Sequence, residues 1–288
     1  MIVKFCFLLF FWIGSFQILT GQSAKVIVIG VDGLSVDGLQ KATTPNMDLM
    51  MKKGLFTLNA QAVMPSKSSP NWMSMLSGVV PEKHQFKKNG FPKDAYQANP
   101  TCEGNADFFP TIFTLLKTQR PESKTAVIHQ WPAFKRLLNL NEIDYRKNPI
   151  LKAEKVQKIG LKYFKKEKPS LLFLHFNLVD AAGHLKGYKS KKYAQKVVQM
   201  DAFLKNFIEL ADQDANLYLL LVSDHGGIDK NHGGDTPEEL TVPVILYGKN
   251  VTAKELTKSV SNIDIGPTIA DILELKKHDC WDGVSILK

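Results

Sequence analysis

The sequence predicts an α/β protein with a central, mostly parallel sheet covered by helices on both faces. Three observations predict it. Short β-branched or leucine-rich runs recur along the chain, and amphipathic helical patterns separate them. Of the 288 residues, 44% are hydrophobic and 23% charged, the usage of a globular chain with a sizeable core. That composition excludes a disordered, collagen-like or disulfide-dense chain, and a protein with many membrane spans.

The elements follow in order. Residues 25–31 (KVIVIGV) read as a buried strand closed by the turn Asp32-Gly33. Thr44-Pro45 opens a helix carrying Met47, Leu49 and Met50. Further strands are expected at 55–60, 124–129, 170–176, 217–223 and 242–247. A helix is expected around 72–76, another from Pro110 to 116, and a lysine-faced one over 153–164. Over 190–210, Tyr193, Val197, Met200, Leu204, Phe207 and Ile208 recur at helical spacing, and a last helix runs over 264–275. Residues 81–110 are rich in Gly, Pro, Lys and Asn and read as a long loop.

The N-terminus has a different purpose. Lys4 precedes the apolar run 5–13, and small or polar residues follow up to about position 21. This predicts a signal peptide over 1–21 and one catalytic domain over 22–288. The run is short for a membrane span, so no stable span is expected after cleavage. Cleavage removes one charge, Lys4, from the formal net charge of +9 and leaves +8. Such a product attracts anions, phosphate esters among them. Arg120, Arg136 and Arg146 are scattered, without a basic-aromatic repeat, which argues against specific nucleic-acid recognition. Cys102 and Cys280 remain, and an oxidising compartment would permit them to pair.

In parallel sheets, ligands gather at the carboxyl ends of strands. Asp32 follows the first strand. Asp180 and His184 follow the run ending at 176. Asp224 and His225 follow the run ending at 223, and His232 lies seven residues later. Carboxylate oxygen and imidazole nitrogen are the usual ligands of catalytic zinc. Six such groups exceed the needs of one ion and suit two, a device for phosphoryl displacement. Each piece has a plain alternative: a turn-forming Asp, or a surface Asp-x-x-x-His pair. His129 and His175 lie in apolar runs and read as core histidines; His84 and His278 read as loop residues. The segment MPSKSSPNWM offers Ser66, Ser68 and Ser69 as nucleophiles just ahead of a helix, where anions are favoured. Ser69 before Pro70 also reads as an ordinary N-cap.

Together these segments resemble the alkaline phosphatase superfamily, most closely its nucleotide pyrophosphatase/phosphodiesterase branch. VIVIGVDGL, PSKSSPNWMSMLSGVVPEKH, NLVDAAGH, LLVSDHGG, NHGGDTPEELTVPVILYG and NIDIGPTIADIL carry the resemblance over most of the chain. It implies an alkaline-phosphatase-like sandwich and selects Ser68 as nucleophile. It places Asp32, Ser68, Asp224 and His225 around one divalent ion, and Asp180, His184 and His232 around a second, with zinc as the metal. It assigns Asn89, 21 residues after Ser68, to a phosphate oxygen. A turn role is the alternative for that Asn in its Lys-Lys-Asn-Gly context.

Three features depart from relatives. His232 follows His225 by only seven positions, where the branch has a long insertion, which makes His278 a reserve ligand. His84-Gln85 stands where the family has His-Gly. The Arg that defines sulfatases is missing after Pro70, and no Arg lies near the site in sequence, which leans the reading towards diesters. Trp72, Phe86 and Phe91 would either stack on a base or fill the core.

The implied function is an exported two-zinc hydrolase of phosphodiester or pyrophosphate bonds. It acts through a metal-activated serine and a covalent phosphoseryl intermediate, on a small phosphate ester such as a nucleotide. The alternatives are phosphomonoester hydrolysis or phosphotransfer at the same site, or an exported metal-binding protein without catalysis.

Overall fold

A computed structural model describes residues 23–89, 102, 108–150 and 152–288. The expected signal peptide and Phe91 lie outside the described residues.

Among the described residues, eight strands form one sheet: β1 (Lys25–Val31), β2 (Leu55–Gln61), β3 (Thr125–His129), β4 (Tyr145–Lys147), β5 (Leu171–Phe176), β6 (Leu217–Val222), β7 (Thr241–Tyr247) and β8 (Lys254–Glu255). Their order across the sheet is β4-β3-β5-β1-β6-β7-β2-β8. Only β7 runs against its neighbours, and it pairs antiparallel with both β6 and β2. The mostly parallel sheet expected from the sequence is therefore present. The short edge strands β4 and β8 were not legible, because three-residue and two-residue strands carry no periodicity.

The helices are α1 (Val36–Lys41), α2 (Pro45–Lys53), α3 (Ser68–Ser77), α4 (Pro81–His84), α5 (Ile112–Gln119), α6 (Ala153–Glu167), α7 (Leu178–Lys186), α8 (Lys191–Gln213), α9 (Pro237–Leu240) and α10 (Ile265–Ile272). Alternation along the central strands divides the core in two. Val26, Val28, Leu220 and Val222 pack with Trp72, Met75, Phe113 and Ile269, which puts α3, α5 and α10 on one face. Ile27, Ile29, Leu219 and Leu221 pack with Met47, Val156, Val197 and Leu204, which puts α2, α6 and α8 on the other. Burying both faces is what lets a parallel sheet be stable.

Two cross-links hold distant segments. Cys102 and Cys280 form a disulfide with Cα atoms 5.4 Å apart, the pairing that an oxidising compartment permits. Asp201 of α8 accepts the backbone N–H of Asn46 and Met47 (3.1 and 2.7 Å), capping α2 from a helix 155 residues away. Among the described residues, no helix is long and apolar enough to cross a membrane.

Candidate metal centre and active site

The parallel strands β1, β5 and β6 end on the same edge of the sheet, and each end delivers a carboxylate. The Asp32 N–H donates to Phe176 of β5 (2.9 Å), and its carbonyl accepts the N–H of Asp180 (3.1 Å). The backbone thus ties the first and second carboxylates together. Gly33 has φ +68, and a Cβ there would lie 2.8 Å from the Asp180 Cβ. Glycine is required for this turn to pack against α7. The Gly33 N–H donates to Asp224 Oδ1 (3.0 Å), which links the third carboxylate to the first. β7 enters the sheet from this same edge because it is reversed, so the loop before it brings His232 to the cluster.

The three histidines share one arrangement. Nδ1 of His184 faces the carbonyl of Lys230 (2.8 Å), that of His225 the carbonyl of Gly226 (2.7 Å), and that of His232 the carbonyl of Ser66 (2.8 Å). A carbonyl only accepts, so each Nδ1 carries the proton and each Nε2 keeps a lone pair. These Nε2 atoms converge. His232 Nε2 is 3.1 Å from His184 Nε2, and the rings of His225 and His232 stack with centroids 3.6 Å apart. His225 Nε2 lies 3.2 Å from Asp224 Oδ2 and 3.5 Å from Asp32 Oδ1. Asp180 Oδ1 lies 3.5 Å from His184 Nε2 and 3.8 Å from His232 Nε2.

Lone pairs facing one another across such distances repel. Asp32 Oδ1 and Asp224 Oδ2 are also buried without a hydrogen-bond partner. Burial and the charge of Asp32 push the pKa of Asp224 well up, and they raise that of Asp180. Burial works the same way on Asp32, but the His175 hydrogen bond and the surrounding histidines outweigh it and hold Asp32 below the usual carboxylate range. Burial and the nearby His225 lower His232 to about 3, which keeps it neutral. The donor set fits divalent cations: two overlapping groups, Asp32/Asp224/His225 and Asp180/His225/His232, each converge within 4.8 Å. His184 adjoins the second group through His232.

Ser68 is the first residue of α3, and its buried Oγ lies 3.2 Å from His225 Nε2. The reading of Ser69 as N-cap is corrected. The cap position is Lys67, no side chain caps the helix, and the Ser69 N–H instead donates to Asn89 Oδ1 (2.9 Å). Asn89 therefore sits at the helix N-terminus beside Ser68, with its Nδ2 unpaired among the described residues. Ser66 Oγ donates to the Gly234 carbonyl (2.6 Å) and binds the nucleophile loop to the His232 loop. Asn71 accepts the Val63 N–H (2.7 Å) and an amide hydrogen of Asn262 (2.9 Å), which fixes α3 against the strand end at Asp224.

All seven expected ligand residues and Asn89 thus meet at one edge. The reserve, His278, does not: it bonds the backbone of Cys280 in the C-terminal tail. His84 is not a loop residue but a buried one at the end of α4, with Nε2 2.9 Å from Ser74 Oγ. Trp72 and Phe86 are buried in the core, which leaves neither free to stack on a substrate.

Sequence reasoning missed three supporting contacts. His175 is buried as expected, yet its Nε2 lies 3.0 Å from Asp32 Oδ2, and Trp72 Nε1 donates to the same oxygen (3.3 Å). Tyr188 donates to Asp180 Oδ1 (2.5 Å). The one signal for His175 was a polar residue at the penultimate position of an otherwise apolar strand.

Comparison with known proteins places the chain in a family. An ectonucleotide pyrophosphatase/phosphodiesterase of Caenorhabditis elegans is 23% identical over 88% of this chain and 35% of its own length. An uncharacterized pyrophosphatase/phosphodiesterase of Schizosaccharomyces pombe is 26% identical over 70% of this chain and 44% of its own. The chain thus spans less than half the length of these curated relatives. In structure it is similar to murine ectonucleotide pyrophosphatase/phosphodiesterase 5, solved as an inactive variant with AMP. The TM-score is 0.72 at 15% identity, over 90% of this chain and 97% of that one. A 2-O glycosaminoglycan sulfatase shares the fold, with a TM-score of 0.70 at 14% identity over 92% of this chain and 74% of that one. The family profile described as type I phosphodiesterase/nucleotide pyrophosphatase matches residues 26–241. The chain belongs to that family, a branch of the alkaline phosphatase superfamily.

Proposed function

We propose that this chain is an exported hydrolase of phosphodiester or pyrophosphate bonds in small molecules such as nucleotides, with Ser68 as nucleophile. The observation that carries the reading is the position of Ser68 Oγ, 3.2 Å from His225 Nε2 at the edge of a buried Asp/His cluster with orphaned oxygens. Asp32, Asp224 and His225 would hold one divalent ion beside Ser68, and Asp180, His184 and His232 a second, with zinc favoured by the N/O ligand set. Bound there, such ions supply a lowered hydroxyl pKa and positive charge for the phosphoryl oxygens.

The residues of the chain divide the remaining work. Ser68 Oγ attacks phosphorus in line, forming a phosphoseryl bond while the bond to the leaving oxygen breaks. The Asn89 Nδ2 and the Ser68 N–H at the α3 N-terminus donate to a non-bridging oxygen. Water then attacks phosphorus, releases the phosphate product and returns the Ser68 hydroxyl. His184, His225 and His232 keep Nε2 aimed inward because each Nδ1 is fixed on a backbone carbonyl.

Diesters are favoured over monoesters because neither Arg120 nor Arg146 is at hand for the second charge. Arg120 ends on Glu274 and Arg146 on the Leu140 carbonyl, outside the cluster. Export through a cleaved segment 1–21, ahead of one catalytic domain over 22–288, belongs to the same reading. The test is the ratio of kcat/KM for an aryl phosphodiester to that for the matching monoester, with zinc-loaded protein and Ser68→Ala as blank. A ratio well above one is expected; a ratio well below one would make the protein a monoesterase or phosphotransferase. Activity no higher than the blank would favour a metal-binding protein without catalysis.

A further inference from the structure

Asn89 lies at the end of an exposed stretch. Lys87, Lys88 and Asn89 are all exposed, and the residue before them, Phe86, is buried. The role proposed for Asn89 needs a fixed position, because a donor stabilises developing charge best when it is oriented before the reaction. Its Oδ1 accepts the Ser69 N–H (2.9 Å), which orients the amide but does not by itself hold the backbone that carries it.

His84 holds that backbone. It is buried at the end of α4, and burial keeps its ring neutral. The Phe86 N–H donates to its Nδ1 (3.1 Å), so Nδ1 is the acceptor and Nε2 carries the proton. Nε2 then donates to Ser74 Oγ across 2.9 Å. The Pro70 carbonyl, one turn nearer the nucleophile, also accepts from the ring. This tautomer is the opposite of the one shared by His184, His225 and His232. Those three rings are set up to offer a lone pair, whereas His84 is set up to bridge two segments. One segment is the start of α3, which begins at Ser68. The other is the turn 84–86, three residues before Asn89. Gln85, at φ 63, bends the chain back so that the Phe86 N–H reaches the ring. The rings of Phe86 and Phe109 pack against the imidazole, with centroids 5.7 and 6.4 Å away.

We infer that His84 is a positioning residue for phosphoryl transfer: it ties the segment that carries Asn89 to the helix that carries Ser68, so that the Asn89 amide is already in place when charge develops on the phosphoryl oxygen. This rests on the proposed function. Both ring nitrogens of His84 are engaged inside the protein, so its effect passes through Asn89 and not through a contact with substrate. Without the ring, the Phe86 N–H loses its acceptor and the exposed stretch 87–89 keeps only the Ser69 bond to the helix. A displacement of a donor by about 1 Å is enough to slow turnover.

The experiment is a double-mutant cycle on zinc-loaded protein, with bis(4-nitrophenyl) phosphate as substrate. Wild type, His84→Ala, Asn89→Ala and the double variant are assayed, with zinc content and melting temperature measured for each. Asn89→Ala is expected to lower kcat by about 100-fold, the loss of one donor to a transition-state oxygen. His84→Ala is expected to lower kcat by about tenfold, with KM and zinc content unchanged. In the Asn89→Ala background the same change is expected to alter kcat by less than about twofold, because no amide is left to position. His84→Asn, whose Oδ1 can accept the Phe86 N–H in an Asx-turn, is expected to recover most of the loss. Where His84→Ala does not fold, the cycle is run with His84→Gln, which can still donate to Ser74 but leaves the Phe86 N–H without its acceptor. An equal loss in both backgrounds overturns the inference, because His84 then acts independently of Asn89. So does a loss that appears in KM or zinc content with kcat unchanged, and so does a His84→Asn variant as slow as His84→Ala. Full activity in Asn89→Ala removes the residue that His84 would position. If wild type cleaves the diester no faster than Ser68→Ala does, the proposed function itself fails, and the inference with it.

Discussion

His175 Nε2 donates to Asp32 Oδ2 across 3.0 Å, joining two fully buried side chains 143 residues apart. Trp72 donates to the same oxygen, which leaves Oδ1 as the Asp32 atom facing His225. The pair is formed because Gly30 of β1 is in register with His175 of β5, so that the ring reaches over the strand end. It orients a proposed metal ligand rather than acting on substrate.

Replacing His175 therefore acts through the metal. In His175→Phe, zinc affinity measured by competition with a chromophoric chelator is expected to drop by about 10- to 100-fold. Unchanged affinity would reduce the hydrogen bond to core packing.

Nucleophile and ligand variants separate in kind. Ser68→Ala is expected to keep bound zinc near the wild-type stoichiometry while turnover falls by about a thousandfold or more. Asp180→Ala and His184→Ala are expected to lower zinc content itself, read by atomic absorption after dialysis. Full activity in Ser68→Ala, or full stoichiometry in the other two, would contradict these roles.

His84 predicts a pH dependence. Burial lowers its pKa to about 3, against an ordinary value of 6.5. The folded protein therefore keeps His84 neutral while the unfolded chain takes up a proton below pH 6.5, so stability is lost as pH falls from 6.5 towards 3. Between pH 7 and pH 5 this contributes a loss of roughly 2 kcal/mol. In urea titrations of apo protein at both pH values, His84→Gln should show a correspondingly smaller acid loss than wild type. Equal losses would remove His84 as the cause.

Gln85 ends α4 in the left-handed region, at φ 63, where related proteins are expected to carry glycine. A side chain there costs about 1–2 kcal/mol, partly offset by the greater unfolded-state freedom of glycine. Gln85→Gly is expected to raise stability by about 0.5–1 kcal/mol, seen as a higher denaturation midpoint with unchanged slope. A lower midpoint would mean that the contacts of the Gln85 side chain outweigh the backbone strain.

The sequence by itself determined the strands that carry the site, their α/β alternation, and the residue types placed after β1, β5 and β6. These are local properties: apolar periodicity and a polar residue at the point where an apolar run ends. It also carried the choice of Ser68 and Asn89, through resemblance. Other features depended on contacts between segments far apart in the chain. The reversal of β7, which brings His232 and not His278 to the cluster, follows from strand pairing. The shared tautomer of three histidines follows from carbonyls supplied by other loops. The support of Asp32 by His175 and Trp72 follows from strand register. The start of α3 at Ser68 rather than after Ser69 follows from the docking of residues 65–67 on the His232 loop, which outweighs the local N-cap preference of serine before proline. Spacing along a chain reports which groups are present, and only the fold sets which atom of each group faces inward.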